Sequence, residues 1–444
     1  MERLYQKTRV ISRVREYYIP YMKLLTKPSG EKLLMLLLSV LSMQTITSIQ
    51  HIYKWFLSGV IKVSQNAYYY LLSYTEMPLD KFAAVTIVKA LSVIEEKLKK
   101  LPVLLLLDDT LQAKFGTKFE CYSTIFDHAK RDGSSYLKGH CFVALTICVP
   151  VMVGKRVKYL NIPIRFRLKS ENENKLSIAS EMIRETMKSL SDVHTVILLC
   201  DSWYPKGEVL ETVESYRNLE FIANVRSDTA MFAIPQATGK RGRPAKRGRK
   251  LNIQDDFDFT LVGKYFMSVK TVITNLFKNS VYMTVTSTNL DNRKSYRLFI
   301  STVSTDKLYA MFASAEQFQS DEFRRFSGLL PLYIYSLRWN IEVMFYELKT
   351  FWSFGEYMIR SKQGIENFIN IISVSYACVN LIPLSDSFFS DFSQASSLTT
   401  KCFFGEAIRK EIFFSQFASF ALNYDFSFHD FDSIDFFNFL SETA

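Results

Sequence analysis

Two short runs constrain the fold of this chain more than any other feature. Residues 103–107 read Val-Leu-Leu-Leu-Leu and residues 195–200 read Thr-Val-Ile-Leu-Leu-Cys, and each run stops at an aspartate. So short an apolar run, without alternation, predicts a strand buried on both faces, as in the middle of a sheet covered by helices. The acids that follow are Asp108-Asp109 and Asp201. In open α/β sheets functional groups collect at the carboxyl ends of strands. An acid there also serves as a helix cap, and Ser202-Trp203-Tyr204-Pro205 after Asp201 suits that use. Taken singly, neither position decides between the two.

The surrounding pattern places these runs in a mixed sheet. Strands are predicted over 119–126, 140–149, 159–166 and 219–225, and helices over 176–190 and 208–216. Strands first, then alternating helix and strand, give an α/β class. Residues up to about 100 read as helical, with long Leu-rich stretches over 33–55 and 82–98. The first 32 residues carry eight Lys or Arg against three acids, which suits a helical DNA-contacting unit and equally a solvated basic face. Composition breaks at 239–250, Gly-Lys-Arg-Gly-Arg-Pro-Ala-Lys-Arg-Gly-Arg-Lys, with seven basic residues between Lys240 and Lys250. Residues 257–303 are rich in Val, Thr, Tyr and Phe and predict a β-rich insertion; from 316 to at least 380 the pattern is helical. Residues 381–444 hold fifteen Phe, nine acids and three bases, a poor DNA binder better suited to packing on the body or on a second subunit.

Composition narrows the class. At 444 residues and 48% apolar the chain has room for a large core. A net charge of +11 favours a polyanionic partner, nucleic acid before an anionic membrane surface. The six cysteines form no CxxC and no His lies at zinc-finger spacing, so neither a zinc nor a disulfide framework is expected and a reducing compartment fits. The longest uncharged stretch, 33–50, contains seven Ser, Thr or Gln and reads as a core helix, not a membrane span. His128 and His140 flank the early strands without a partner spacing that demands a ligand, and Cys200 reads as strand core.

A third acid comes from residues 335–349, Tyr-Ser-Leu-Arg-Trp-Asn-Ile-Glu-Val-Met-Phe-Tyr-Glu-Leu-Lys. On one helix, Tyr335, Arg338, Glu342 and Lys349 fall within roughly a 60° arc, beside an apolar stripe of Ile334, Leu337, Ile341, Phe345 and Leu348. Glu347 points about 140° away, which favours Glu342 as the functional acid. An ordinary surface helix with an i,i+4 ion pair would explain Arg338 and Glu342. It would not explain Tyr335 and Lys349 in line with them.

The spacing Tyr-x2-Arg-x3-Glu-x6-Lys resembles the YREK signature of one group of bacterial cut-and-paste DDE transposases, matched by Tyr335, Arg338, Glu342 and Lys349 over a likeness spanning about 101–380. The resemblance implies a ribonuclease-H-like catalytic core with a β-rich insertion and helical N- and C-terminal regions. The expected divisions are 1–100 (helical, DNA-binding), 101–235 (first part of the core), 236–305 (basic loop and insertion), 306–380 (second part, carrying the Glu) and 381–444 (acidic, Phe-rich). It implies Asp109, Asp201 and Glu342 as catalytic, metal-binding triad. Asp109 is preferred to Asp108 because the family acid is typically followed by Thr or a small residue, here Thr110. Tyr335, Arg338 and Lys349 would then contact DNA near the cut, and Trp203 or Trp339 would stack on an unpaired base.

The expected function is a transposase that binds the ends of its insertion sequence, cleaves them and joins them to target DNA. It would use two Mg²⁺ or Mn²⁺ ions about 4 Å apart. The expected partners are double-stranded DNA and a second copy of the chain on that DNA, with no membrane, in a bacterial cytoplasm near the nucleoid. The alternative is a non-catalytic or purely nucleolytic DNA-binding protein of the same fold. Arg241-Gly242-Arg243-Pro244 resembles an AT-hook, so Lys240, Arg241, Arg243, Lys246, Arg247 and Arg249 are DNA-binding candidates. If all seven basic residues of that loop met phosphates, log K would fall with log salt at a slope of about −6.

Overall fold

The structure, a computed structural model, describes residues 10–116, 118–126, 136–236, 245–318, 326 and 328–423. Its strands are β1 (Val103–Ala113), β2 (Ser123–Phe126), β3 (Tyr136–Val153), β4 (Arg156–Leu168), β5 (Val196–Cys200), β6 (Leu219–Val225), β7 (Met231–Phe232), β8 (Thr260–Val262), β9 (Tyr265–Thr274), β10 (Val281–Ser287) and β11 (Arg297–Ser301). They form a mixed sheet in the order β2-β3-β1-β5-β6-β11-β10-β9-β7, with β4 beside β3 and β8 beside β9. Parallel pairing is confined to β1 with β5 and β5 with β6; the flanking pairs are antiparallel. The two apolar runs are the centre of this arrangement, and every residue of 103–107 and 196–200 is buried.

The apolar run of β1 is shorter than the strand. β1 does not stop at Asp108 but continues to Ala113, paired with β3 as far as Gly139. Only its parallel neighbour ends, at the pair Leu107–Cys200. The run therefore marks the length over which β1 is covered on both faces, and polarity resumes where that cover is lost. The two strands approach closely at Gly139, where a Cβ would fall 2.0 Å from the Gln112 carbonyl oxygen. The β-rich stretch continues the same sheet, because β11 pairs with β6 across residues 222–225.

The helices used below are α1 (Val10–Met22), α2 (Lys27–Ser42), α3 (Gln65–Ser73), α4 (Leu79–Ser92), α5 (Lys175–Lys188), α6 (Glu208–Glu214), α7 (Thr305–Met311), α8 (Leu329–Ser336), α9 (Trp339–Phe351), α10 (Lys362–Ser385) and α11 (Ser397–Asn423). The helix expected over 33–55 breaks at Met43, whose backbone is extended, and resumes at Ile49–Ile52 and a π-helical turn Tyr53–Leu57. Thr and Ser dominate that break and favour local backbone bonds; the Ser48 hydroxyl accepts from His51 N–H. Helix α10 is long and apolar enough to cross a membrane, but 83% of its most apolar window is buried inside the protein, where it packs on β4 and on α2, α3 and α4. Helix α11 packs on α2 and α1, and its Glu411 carboxylate accepts the Val10 and Ile11 N–H groups at 2.6 and 3.0 Å. That contact satisfies the first donors of α1.

Candidate active site

Register and side-chain alternation decide which acids meet. Parallel pairing of Leu107 with Cys200 carries Asp108 level with Asp201 at the next step. Side chains alternate faces along a strand, so Asp108 and Asp109 point to opposite sides of the sheet. The Asp201 carboxylate acts on Asp108. Burial first, and then Asp201, push the Asp108 carboxyl up to about 7, against the Asp109 N–H bond at 2.8 Å and Arg338. One oxygen of Asp201 accepts from Trp203 N–H at 2.9 Å. Asp201 thus caps a turn; α6 begins after Gly207.

The third acid arrives on Asp108's face. Arg338 donates through one nitrogen to Asp108 Oδ2 at 3.1 Å and through another to Glu342 Oε1 at 2.6 Å. Its side chain is 14% exposed, that of Asp108 16% and that of Glu342 34%. Helix α9 is held over the sheet at both ends. The Asn340 carbonyl accepts from Asn161 Nδ2 of β4 at 3.0 Å, and Lys349 Nζ donates to the Leu111 carbonyl of β1 at 2.8 Å. Glu347 faces away and accepts from Tyr376 and Ser397 at 2.5 and 2.8 Å, as its angular position predicts.

The segment 335–349 is not one helix. It divides at Leu337–Arg338, where i→i+3 bonds (Arg338 N to Tyr335 O, Ile341 N to Arg338 O) tighten the backbone between α8 and α9. Tyr335 lies on α8, across that tightened turn, and remains beside Arg338. Its ring meets Phe299 of β11 edge-on at 5.1 Å, and the Arg338 guanidinium lies 5.9 Å from its centre. Tyr335, Arg338, Tyr265, Phe299 and the 60%-exposed Trp339 line an open groove of about 470 Å³ beside the acids.

Asp109 has a different set of partners on the opposite face. It accepts from Lys175 Nζ at 2.9 and 3.1 Å and from Tyr204 OH at 2.9 Å, next to the Cys141 thiol. Trp203 is flanked there by the ammonium groups of Lys175 and Lys206, each 4.1 Å from its ring. The structure therefore does not bring Asp109 together with Asp201 and Glu342; it joins β1 to α5 and to the loop after β5. Of the two tryptophans considered for base stacking, only Trp339 is widely exposed.

The remaining candidates lie apart from the acids. Lys240, Arg241, Arg243 and His128 fall outside the described residues. Residues 248–251 fold back on β7 through backbone bonds of Gly248, Arg249 and Leu251 with residues 231–233. Arg247 donates to Asn275 and stacks on Phe232, Arg249 pairs with Asp256, and Lys246 is exposed. His140 is buried between Tyr357 OH at 2.5 Å and the Glu120 carbonyl at 3.0 Å, and burial pushes its ring down to about 4. It is a structural residue. Cys200 is fully buried strand core.

Among the described residues no three carboxylate, imidazole or thiol groups converge on one point as they stand. The acids form a pair, Asp108 with Asp201, and a third, Glu342, joined to the pair through Arg338. Hard oxygen donors at the edge of an open groove are a donor set for Mg²⁺ or Mn²⁺. Two carboxylates that repel each other fit such a cation.

A family model described as DDE superfamily endonuclease matches residues 20–258, more than half of the chain, including Asp108, Asp109 and Asp201 but ending before Glu342. No curated protein matches the sequence.

Proposed function

This chain belongs to the DDE superfamily of endonucleases, and from that premise we propose that it is a DNA transposase whose triad is Asp108, Asp201 and Glu342. Members of that superfamily generally use divalent metal ions, and an endonuclease family points to DNA as the partner. The observation that carries the reading is the Arg338 bridge, which reaches across 230 residues of sequence to Asp108 and joins Glu342 to it at the point where β5 delivers Asp201. The order β4-β3-β1-β5-β6, with only β3 antiparallel among β3, β1, β5 and β6, supports a ribonuclease-H-like core. Asp108 takes the place the sequence reading gave to Asp109, on the ground of the face each occupies.

Two Mg²⁺ or Mn²⁺ ions, when bound, would supply activation of the attacking oxygen and charge relief at the leaving oxygen. Asp108, Asp201 and Glu342 would hold them. Arg338 caps the start of α9 and Lys349 lies in its last turn, and positive charge there suits the phosphates of a transposon end. Tyr335 and Trp339 present aromatic surface in the groove next to the acids, on which an unpaired base would stack. In the first step water attacks the end phosphorus; a P–O bond to water forms, the bond to the 3′ oxygen breaks, and that oxygen leaves as a 3′-OH. In the second step the 3′-OH attacks a target phosphorus, forming one P–O bond and breaking another. The function is carried out by two copies of the chain, one for each end, in a bacterial cytoplasm.

The test is an assay with labelled DNA carrying the ends that flank the chain's own coding sequence, a target plasmid and Mg²⁺. The transposase reading expects cut ends and labelled plasmid. Cut ends with no joined product would favour a nuclease without strand transfer. Binding with no cutting, on ends that the wild type occupies fully, would favour a non-catalytic DNA-binding protein.

A further inference from the structure

The charge balance at the triad has an unusual feature. Among the described residues, one cation is shared between two of the three acids: Arg338 contacts Asp108 at 3.1 Å and Glu342 at 2.6 Å. Its guanidinium lies between a β1 acid and the α9 acid. Arg338 sits at the break between α8 and α9, where the backbone makes i→i+3 bonds. It also lines the open groove of about 470 Å³ with Tyr335 and Trp339, so its guanidinium has somewhere to go.

Resting on the triad reading above, we propose that Arg338 is a latch: it occupies the carboxylates of the free protein and is drawn off them by a DNA phosphodiester, so that DNA binding and divalent-cation binding reinforce each other. An arginine fork serves a phosphate as well as it serves a carboxylate pair, in both cases by two parallel charge-assisted bonds. While Asp108 Oδ2 and Glu342 Oε1 accept from Arg338, a cation must share those oxygens with the guanidinium and meet its positive charge. A phosphate in the groove takes over the guanidinium and leaves the acids with uncompensated negative charge. Thermodynamic reciprocity then requires that a cation on the acids tighten phosphate binding by the same factor. Free protein in the cell would hold metal weakly and cut nothing; protein on DNA would load and cut.

The test measures Mn²⁺ binding to the full chain by the loss of the free-ion resonance signal, without DNA, for wild type, Arg338→Gln, Arg338→Lys and Asp201→Asn. The latch predicts that Arg338→Gln binds Mn²⁺ between about fivefold and a hundredfold more tightly than wild type. Arg338→Lys, with a single charged point in place of a fork, moves in the same direction by a smaller factor and covers the case in which the Gln variant fails to fold. Equal or weaker Mn²⁺ binding by these variants overturns the latch. Asp201→Asn separates the two ideas: it weakens Mn²⁺ binding if the triad is as assigned, and unchanged binding there overturns the triad itself. A second readout is thermal: Mn²⁺ should raise the melting temperature of Arg338→Gln more than that of wild type, since the variant's acids lack their internal counter-charge.

Discussion

At the scale of single residues, the decisive comparison is between two adjacent aspartates. Asp108 shares a face with Asp201 and Arg338; Asp109 is bound by Lys175 and Tyr204 on the other. The distinction has a pH signature. The folded Asp108 carboxyl sits at about 7, above the ordinary carboxylate range, chiefly through burial and then through Asp201. Between pH of about 4 and 7 the folded chain therefore holds a proton that the unfolded chain has released, and stability falls as pH rises through that window. Asp108→Asn carries no such proton. In chelator, wild type should lose about 2 kcal/mol relative to Asp108→Asn between pH 5.5 and 8, read from denaturant midpoints. A constant difference between the two proteins across that range would show that burial and Asp201 do not raise the Asp108 carboxyl. The acid proposed here was legible in the sequence: Asp108 is the first residue after Val103–Leu107, and Asp201 is the first after Val196–Cys200. Parallel strands with that register put the first acids side by side. The preference for an acid followed by Thr led instead to Asp109, a sequence habit that carries no information about which face a side chain occupies.

At the scale of elements, helix α9 shows how far a periodicity argument reaches. The apolar stripe of Ile341, Phe345 and Leu348 is buried as expected, and Glu342 and Glu347 diverge as their angles require. What periodicity did not contain was the break at Leu337–Arg338, because no Pro or Gly marks it. Across the break Tyr335 stays beside Arg338, and its ring packs against Phe299, which only the tertiary placement of β11 determines. Glu347 serves as an internal control for the assignment of Glu342. Glu347→Ala deprives Tyr376 and Ser397 of their acceptor and should cost about 1–3 kcal/mol of stability, measured by denaturant unfolding. It should leave Mn²⁺ binding within twofold of wild type on the scale where a lost ligand typically costs about 10-fold or more. A Glu347 variant that lost Mn²⁺ while keeping its stability would exchange the roles of the two glutamates. The basic segment offers a further element-level expectation. Arg249 is already neutralised by Asp256, so at most six of the segment's seven charges are left for DNA. Deleting 240–250 should reduce the log-salt slope of DNA binding by about 5, and an unchanged slope would place the segment off the DNA.

At the scale of the whole molecule, the class of the fold followed from local pattern, since short doubly buried strands and intervening helices permit few other arrangements. The order of the strands did not. That β11 pairs with β6, and so joins the β-rich stretch to the parallel strands, depends on contacts across more than 70 residues of sequence, as does the return of α9 to β1. The consequence is a site assembled from three distant segments, with each acid delivered by a different element: Asp108 by β1, Asp201 by the exit from β5, Glu342 by α9. On the proposed function these three, and not Asp109, hold the metal and cut DNA. Mg²⁺-dependent cleavage of labelled end DNA by wild type, Asp108→Asn, Asp109→Asn and Glu342→Ala, with DNA binding followed in parallel, separates the two aspartates. Asp108→Asn and Glu342→Ala should bind DNA and not cut, while Asp109→Asn, weakened only in its hold on Lys175 and Tyr204, should still cut. Cutting by Asp108→Asn together with its loss in a folded, DNA-binding Asp109→Asn would give the site to Asp109 instead.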